Sequence, residues 1–265
     1  MGAKYVIDEY TLRDIADSIR EKTGGTLNIA PEDMAEEILS IHSAEDAYNE
    51  FWDEYQNPAH VDCDSRFAGR GWNDETFKPK YNIPNNPPWQ TSFSKTFANC
   101  GITNLSKILK ECGVKLDFSK TSRADQMFYW ANKITAVPEI DVSNVENCYA
   151  MFSTATSLVT IEKFKVSAKT NLNNAFYGCL SLENIVVEGE LAYFRTDFSQ
   201  STKLSKASII SIIEALSDNV SGDYTLTLSL EAVDIAFDTG KKEGSGSDEF
   251  WDLVHSKPNW TISLV

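Results

Sequence analysis

Three histidines, His42, His60 and His255, stand far apart in the 265-residue chain. Only His60 has neighbours that suggest chemistry. In His60-Val-Asp-Cys-Asp64 an imidazole and the carboxylates of Asp62 and Asp64 fall within five residues. Such a set on a loop can hold a cation. A solvated polar turn is the commoner outcome of that pattern, so no metal and no cofactor is expected. No Gly-x-Ser-x-Gly, His-Glu-x-x-His or phosphate-cradling glycine loop occurs. Carboxylates able to cleave a glycan would have to lie roughly 5–10 Å apart, and no spacing in the chain argues for such a pair. The chemistry on offer is recognition rather than turnover, and the chain reads as a non-enzyme.

The five cysteines are Cys63, Cys100, Cys112, Cys148 and Cys179. An odd number with no Cys-x-x-Cys suggests neither a disulfide framework nor a zinc site. Their places in a repeat explain them better. Met127-Phe128-(x5)-Ile134 recurs as Met151-Phe152-(x5)-Leu158, Ala175-Phe176-(x5)-Leu182 and Asp197-Phe198-(x5)-Leu204, with steps of 24, 24 and 22 residues. A looser copy begins at Phe97. Three residues after each phenylalanine stand Cys100, Ala131, Ala155, Cys179 and Ser201, all small. Cys100 and Cys179 then read as buried packing residues, a role that suits a free thiol.

A repeat of this length implies units too small to bury an apolar face alone, which must stack on their neighbours. Two further columns support the register. Ile134, Leu158, Leu182 and Leu204 lie six residues after the phenylalanine, and Val137, Ile161, Ile185 and Ala207 lie nine after it. Each unit is expected to be a helical or turn-like half carrying the phenylalanine, then a short strand carrying the aliphatics. The expected architecture is an α/β solenoid over residues 91–216, its strands forming a parallel ladder.

Around this body the sequence predicts three other regions. Residues 1–55 carry 14 Asp or Glu against 4 Lys or Arg, and so hold −10 of the net −15. Thr11 can cap a first helix there, Gly24-Gly25 can stop it, and Pro31 suits the start of a second. A third helical stretch runs from about Ala44 to Tyr55. Residues 56–90 contain five prolines between large aromatics. They read as an ordered, irregular cap over the first rung. Residues 217–265 read as an α+β C-terminal cap. A helix from Ala207 to Leu216 precedes it, Tyr224–Leu230 and Trp260–Leu264 alternate as strands, and Glu231–Phe237 and Phe250–Val254 are helical. The negative charge argues against nucleic acid and against an anionic membrane. No run of 18 apolar residues is present, and the N-terminus lacks the apolar core of a signal peptide, so export by the general secretory route is not expected.

The run Ile134-Thr-Ala-Val-Pro-Glu-Ile-Asp-Val-Ser-Asn-Val-Glu-Asn-Cys-Tyr-Ala-Met-Phe152 resembles the repeat of BspA-type leucine-rich-repeat proteins. In that family Val-Pro or Ile-Pro leads to Asp-x-Ser-Asn-Val, then Met-Phe, then Cys-x-Ser-Leu. Asn171-Leu-Asn-Asn-Ala-Phe-Tyr-Gly-Cys-Leu-Ser-Leu182 resembles its second half. The segment Thr11–Thr26, followed by Ile29-Ala-Pro-Glu-Asp-Met34, resembles a helical module at the start of bacteriophage tail and fibre proteins. Phe67-Ala-Gly-Arg-Gly-Trp-Asn-Asp-Glu-Thr-Phe-Lys-Pro-Lys-Tyr81 resembles sequences that precede such repeats in phage proteins.

These resemblances imply a virion structural protein of the tail, baseplate or fibre. It would dock to other virion proteins through the acidic N-terminal unit and present the repeat surface to a host surface protein or glycan. Such a protein assembles in the host cytoplasm and needs no export signal. Candidate ligand-binding positions, facing outward on the expected strands, are Glu139, Asp141, Glu162, Lys163, Lys165 and Glu183. Virion fibres are commonly trimeric, so a homo-oligomer is implied, although no sustained heptads support it. The alternatives are a bacterial cell-surface or secreted leucine-rich-repeat adhesin and, after that, a polysaccharide-degrading enzyme.

Overall fold

The computed structural model describes residues 67–69, 71–80, 82–83, 91–193, 195–238 and 248–265. The chain divides into two compact units, Met1–Glu54 and Tyr55–Val265, and the described residues all belong to the second. The three expected N-terminal helices and the His60/Asp62/Asp64 cluster lie outside the described residues.

Four phenylalanines of the repeat, Phe97, Phe128, Phe152 and Phe176, sit in runs of tight turns, not in helices, while Phe198 ends a short strand. The turns are set by left-handed backbone two residues before and two residues after the ring. The pairs are Lys95 and Asn99 around Phe97, Gln126 and Trp130 around Phe128, Ala150 and Thr154 around Phe152, and Asn174 and Gly178 around Phe176. Only Gly178 adopts that conformation without steric cost. The compensation is a ladder between rungs. Phe97 N–H donates to Met127 O at 2.8 Å, Phe128 N–H to Met151 O at 2.7 Å, and Phe152 N–H to Ala175 O at 2.8 Å. Backbone groups that would be orphaned in a buried turn are thereby paired.

That ladder places the rings directly over one another. Phe97 stacks on Phe128 at 5.4 Å, Phe128 on Phe152 at 5.2 Å, Phe152 on Phe176 at 5.7 Å, and Phe176 on Phe198 at 4.4 Å. All five are fully buried or nearly so. Phe67 adds a sixth ring, stacked on Phe97 at 5.3 Å, and its N–H donates to Thr96 O at 2.9 Å as in the later rungs. Gly69, left-handed like Gly178, follows it by two residues. The irregular segment therefore contains a rung of its own. Beyond that rung Phe77 stands edge-on to both Phe67 and Phe97, and Trp72 edge-on to Phe67, which closes this end of the column to water.

Opposite the turns run the strands. β1 (Thr91–Ser92) pairs with β2 (Thr121–Arg123), and β3 (Ala136–Asp141), β4 (Thr160–Val166) and β5 (Asn184–Gly189) form a parallel three-stranded sheet in that order. Val137, Ile161 and Ile185 are register partners and all are buried. Their spacing in sequence is the 24-residue step. Glu162 and Lys163 form a two-residue excursion between buried Ile161 and Phe164, where β5 inserts only Val186; the register shifts at that point.

Helices flank this sheet. α1 (Leu105–Cys112) packs on β3, and α2 (Lys206–Glu214) packs on β5. Asn104 caps α1, its side chain accepting from Lys107 N–H, and left-handed Gly113 ends it. α1 falls between Phe97 and Phe128, which are 31 residues apart instead of 24. The helix occupies that excess.

α2 begins at Lys206, capped by Ser205. Ala207 is exposed on it, so the fourth member of the expected aliphatic column does not enter the core. Ser208 takes its place differently: its hydroxyl accepts from Ile185 N–H at 3.0 Å and donates to Glu183 O at 2.9 Å. Ser211 does the same one turn on, accepting from Val187 N–H at 2.8 Å and donating to Val187 O at 3.2 Å. Two hydroxyls thus do for the edge of β5 what a further strand would do.

The C-terminal part continues with a second parallel sheet of β6 (Arg195–Phe198), β7 (Tyr224–Leu228) and β8 (Trp260–Leu264). α3 (Leu230–Phe237) and α4 (Asp248–His255) lie between β7 and β8 in sequence. Trp260 donates its indole N–H to Ser217 O at 2.9 Å, and Lys257 Nζ donates to Leu216 O at 2.7 Å. These bonds tie the last strand to the segment after α2.

Candidate functional site

A groove of about 680 Å³ opens between α1, the loop 113–119 and the outer surface of β3. It exists because α1 is inserted ahead of the three-stranded sheet and its following loop stands off from β3. Leu109, Val114, Leu116, Phe118 and Pro138 supply apolar wall. Pro138 can stand in β3 because that strand is at the edge of the sheet and the missing N–H breaks no ladder bond there.

Three of the six positions singled out in the sequence, Glu139, Asp141 and Glu162, line this groove. Each carboxylate is held. The Ser106 hydroxyl on α1 donates to Glu162 Oε1. Asp141 Oδ1 accepts from the Ser143 hydroxyl at 2.6 Å, and Glu139 Oε1 lies 2.5 Å from Lys165 Nζ. The opposite wall adds Lys110, Lys115 and Asp117, residues that sequence reasoning missed because their place depends on the inserted helix.

The Asp117 carboxyl feels burial, which would raise it, but hydrogen bonds from Ser119 and the charges of Lys115 and Lys120 bring it below the ordinary carboxyl value. It is therefore ionised at neutral pH and poorly suited to donate a proton. The groove presents four carboxylates against two ammonium groups of its own. It suits a polar ligand that brings hydroxyls or positive charge.

The other three positions lie outside the groove lining. Lys163 pairs with Glu188 at 2.8 Å across β4 and β5. Lys165 bridges diagonally to Glu139 on β3, and that hydrogen bond holds its ammonium above the ordinary lysine value. Exposed pairs of this kind add little stability, so their main effect is to order the sheet surface. Glu183 is exposed just before β5, and its backbone carbonyl accepts the Ser208 bond.

Cys100, Cys148 and Cys179 fit a packing role, whereas Cys112 on α1 is half-buried. Cys148 and Cys179 are fully buried, and burial pushes both thiols far up; Cys100 is pushed up to about 11. Among the described residues no group of three or more His, Cys, Asp or Glu is placed to hold a metal. Nor is any described helix long and apolar enough to cross a membrane.

Residues 91–206 match the family described as "Mycoplasma protein of unknown function, DUF285", which is associated with BspA-like surface repeat proteins. The match spans β1 to the first residue of α2, and so contains the groove and the sheet beside it. No curated protein and no solved structure matches the chain.

Proposed function

We propose that the chain is a bacteriophage virion structural protein of the tail, baseplate or fibre, whose repeat region recognises a component of the host surface. In this reading residues 91–216 are a BspA-like leucine-rich-repeat solenoid. The acidic N-terminal unit joins it to other virion proteins. The role is binding, not turnover. The observation that carries recognition is the groove beside β3, in which Glu139, Asp141 and Glu162 on the parallel sheet face Lys110 and Lys115 of the opposite wall. A stacked array suits such a task because many side chains are displayed on a surface that does not reorganise on binding.

A second reading, a cell-surface adhesin, is favoured by the association of the matched family with surface repeat proteins. Immunogold electron microscopy with antibodies to the purified chain separates the two. Under the first reading gold decorates the tails of particles released from the source culture. Gold confined to cell envelopes, with particles unlabelled, would sink the virion assignment and leave the adhesin.

A further inference from the structure

The turn side of the repeat differs in chemistry from the strand side. In a chain with 24% charged residues, the runs 126–132, 147–157 and 171–182 contain no Asp, Glu, Lys or Arg. What they expose is aromatic and amide, with one aliphatic side chain, Leu180. Trp130 is 53% exposed, Tyr149 40% and Tyr177 47%, and Asn132 and Asn174 are exposed on the same runs. Exposed aromatics of this kind keep an apolar ring face and a polar tip available together.

The ladder bonds give their relative places. Trp130 N–H donates to Ser153 O at 3.0 Å, and Thr154 N–H to Tyr177 O at 2.7 Å. Trp130, Thr154 and Gly178 therefore form one column, and Tyr129, Ser153 and Tyr177 the next. The rings of Tyr129 and Trp130 stack at 5.9 Å. One rung on, both columns fall to small hydroxyl residues. One rung further the ring returns at Tyr177. Aromatic groups thus stand two rungs apart, about 10 Å, across a step made by Ser153 and Thr154.

We propose that this turn face binds a neutral glycan, with Trp130 and Tyr177 stacking on sugar rings and the neighbouring asparagines meeting their hydroxyls. The scarcity of charge selects the ligand class. A charged ligand would lose hydration on the runs themselves and meet counter-charge only at their ends, such as at Lys133 and Glu146, whereas a sugar offers apolar C–H faces to the rings and hydroxyls to the amides. A short oligosaccharide spans the two-rung separation. The inference rests on the host-recognition reading only for the source of the glycan, and it concerns a surface other than the groove.

The test uses the full chain against an array of neutral and acidic oligosaccharides, followed by affinity electrophoresis in gels containing neutral polysaccharides. At least one neutral glycan should retain the protein, and raised salt should not release it. Trp130→Ala and Tyr177→Ala should each weaken retention roughly tenfold with an unchanged melting temperature, and the surface control Lys169→Ala should leave it intact. Retention by acidic glycans alone, retention by none, or variants that bind like the parent would each overturn the proposal. So would a change of sedimentation on Trp130→Ala, which would make the face a protein interface. Failure of the parent chain to bind any neutral glycan, with tails still labelled by gold, would remove this inference and leave the virion assignment standing.

Discussion

Phe152 is the sharpest probe of the ring column. It is fully buried. It lies between Phe128 at 5.2 Å and Phe176 at 5.7 Å, with Phe164 edge-on at 6.1 Å. Truncation to alanine removes a whole ring from a site whose neighbours are held by the turn ladder and cannot collapse into the space, so a loss of about 3–5 kcal/mol is expected. Phe152→Leu keeps much of the volume but gives up three aromatic contacts, each worth about 0.5–1.5 kcal/mol, and should cost about 1.5–4.5 kcal/mol. Either is a large fraction of the roughly 5–15 kcal/mol by which a domain is stable. Urea denaturation followed by far-UV circular dichroism measures both. A double-mutant cycle adds the decisive reading: Phe128→Leu and Phe152→Leu should couple by about 0.5–1.5 kcal/mol, while Phe128→Leu and Phe198→Leu, with two rings between them, should add within about 0.5 kcal/mol. A loss below about 0.5 kcal/mol for Phe152→Ala, far under the expected cavity cost, would refute the idea that the stack carries the stability of the array.

Other positions give equally direct outcomes. A Cβ on Gly189, whose φ is +94°, would sit 2.1 Å from the Val166 carbonyl oxygen; Gly189→Ala should therefore lower stability by about 3 kcal/mol or more, read as a fall in melting temperature, and an unchanged melt would contradict the close approach. Ser208→Ala leaves the Ile185 N–H without its acceptor and should cost about 1–3 kcal/mol, whereas Ser208→Thr, which retains a hydroxyl, should cost less in the same urea titration. The buried thiols make stability fall in alkali. A thiol whose folded value is raised contributes stability that is complete below the ordinary 9.0 and is lost as pH climbs towards the folded value, about 11 for Cys100. Melting temperature should accordingly drop between pH 9 and 11, and replacing Cys148 and Cys179 by alanine should flatten that slope.

The parts of the fold legible in the sequence are those in which one spacing repeats. Phe128, Phe152 and Phe176 follow each other at 24 residues, and a parallel ladder of constant register puts equal spacings one above another. That Glu139, Asp141 and Glu162 turn away from the core follows from each standing next to a buried residue, Ile140 or Ile161. The groove itself was not readable. It depends on α1, whose local signals, the Asn104 cap and the Gly113 stop, sit in the stretch where the spacing widens to 31. Its lysines meet the β3 carboxylates only through tertiary packing. Phe67 was missed although Phe67-Ala-Gly69 shares its form with Phe176-Tyr-Gly178. One copy without its aliphatic columns gives too little periodicity to register. Ala207 left the aliphatic column because the helix expected from that residue onward does form, over Lys206–Glu214, and displays it to solvent.

A row of parallel strands has no natural last member, and an unfinished border recruits whatever extended chain comes near. Here Ser208 and Ser211 finish it with two side chains that ask nothing of the rung before them except its main-chain amides and carbonyls. Because those groups are the same in every rung, the terminator is indifferent to how many units precede it. Duplication or deletion of a 24-residue block upstream would leave the closure intact, so the array can lengthen or shorten over generations without exposing the chain to runaway self-association.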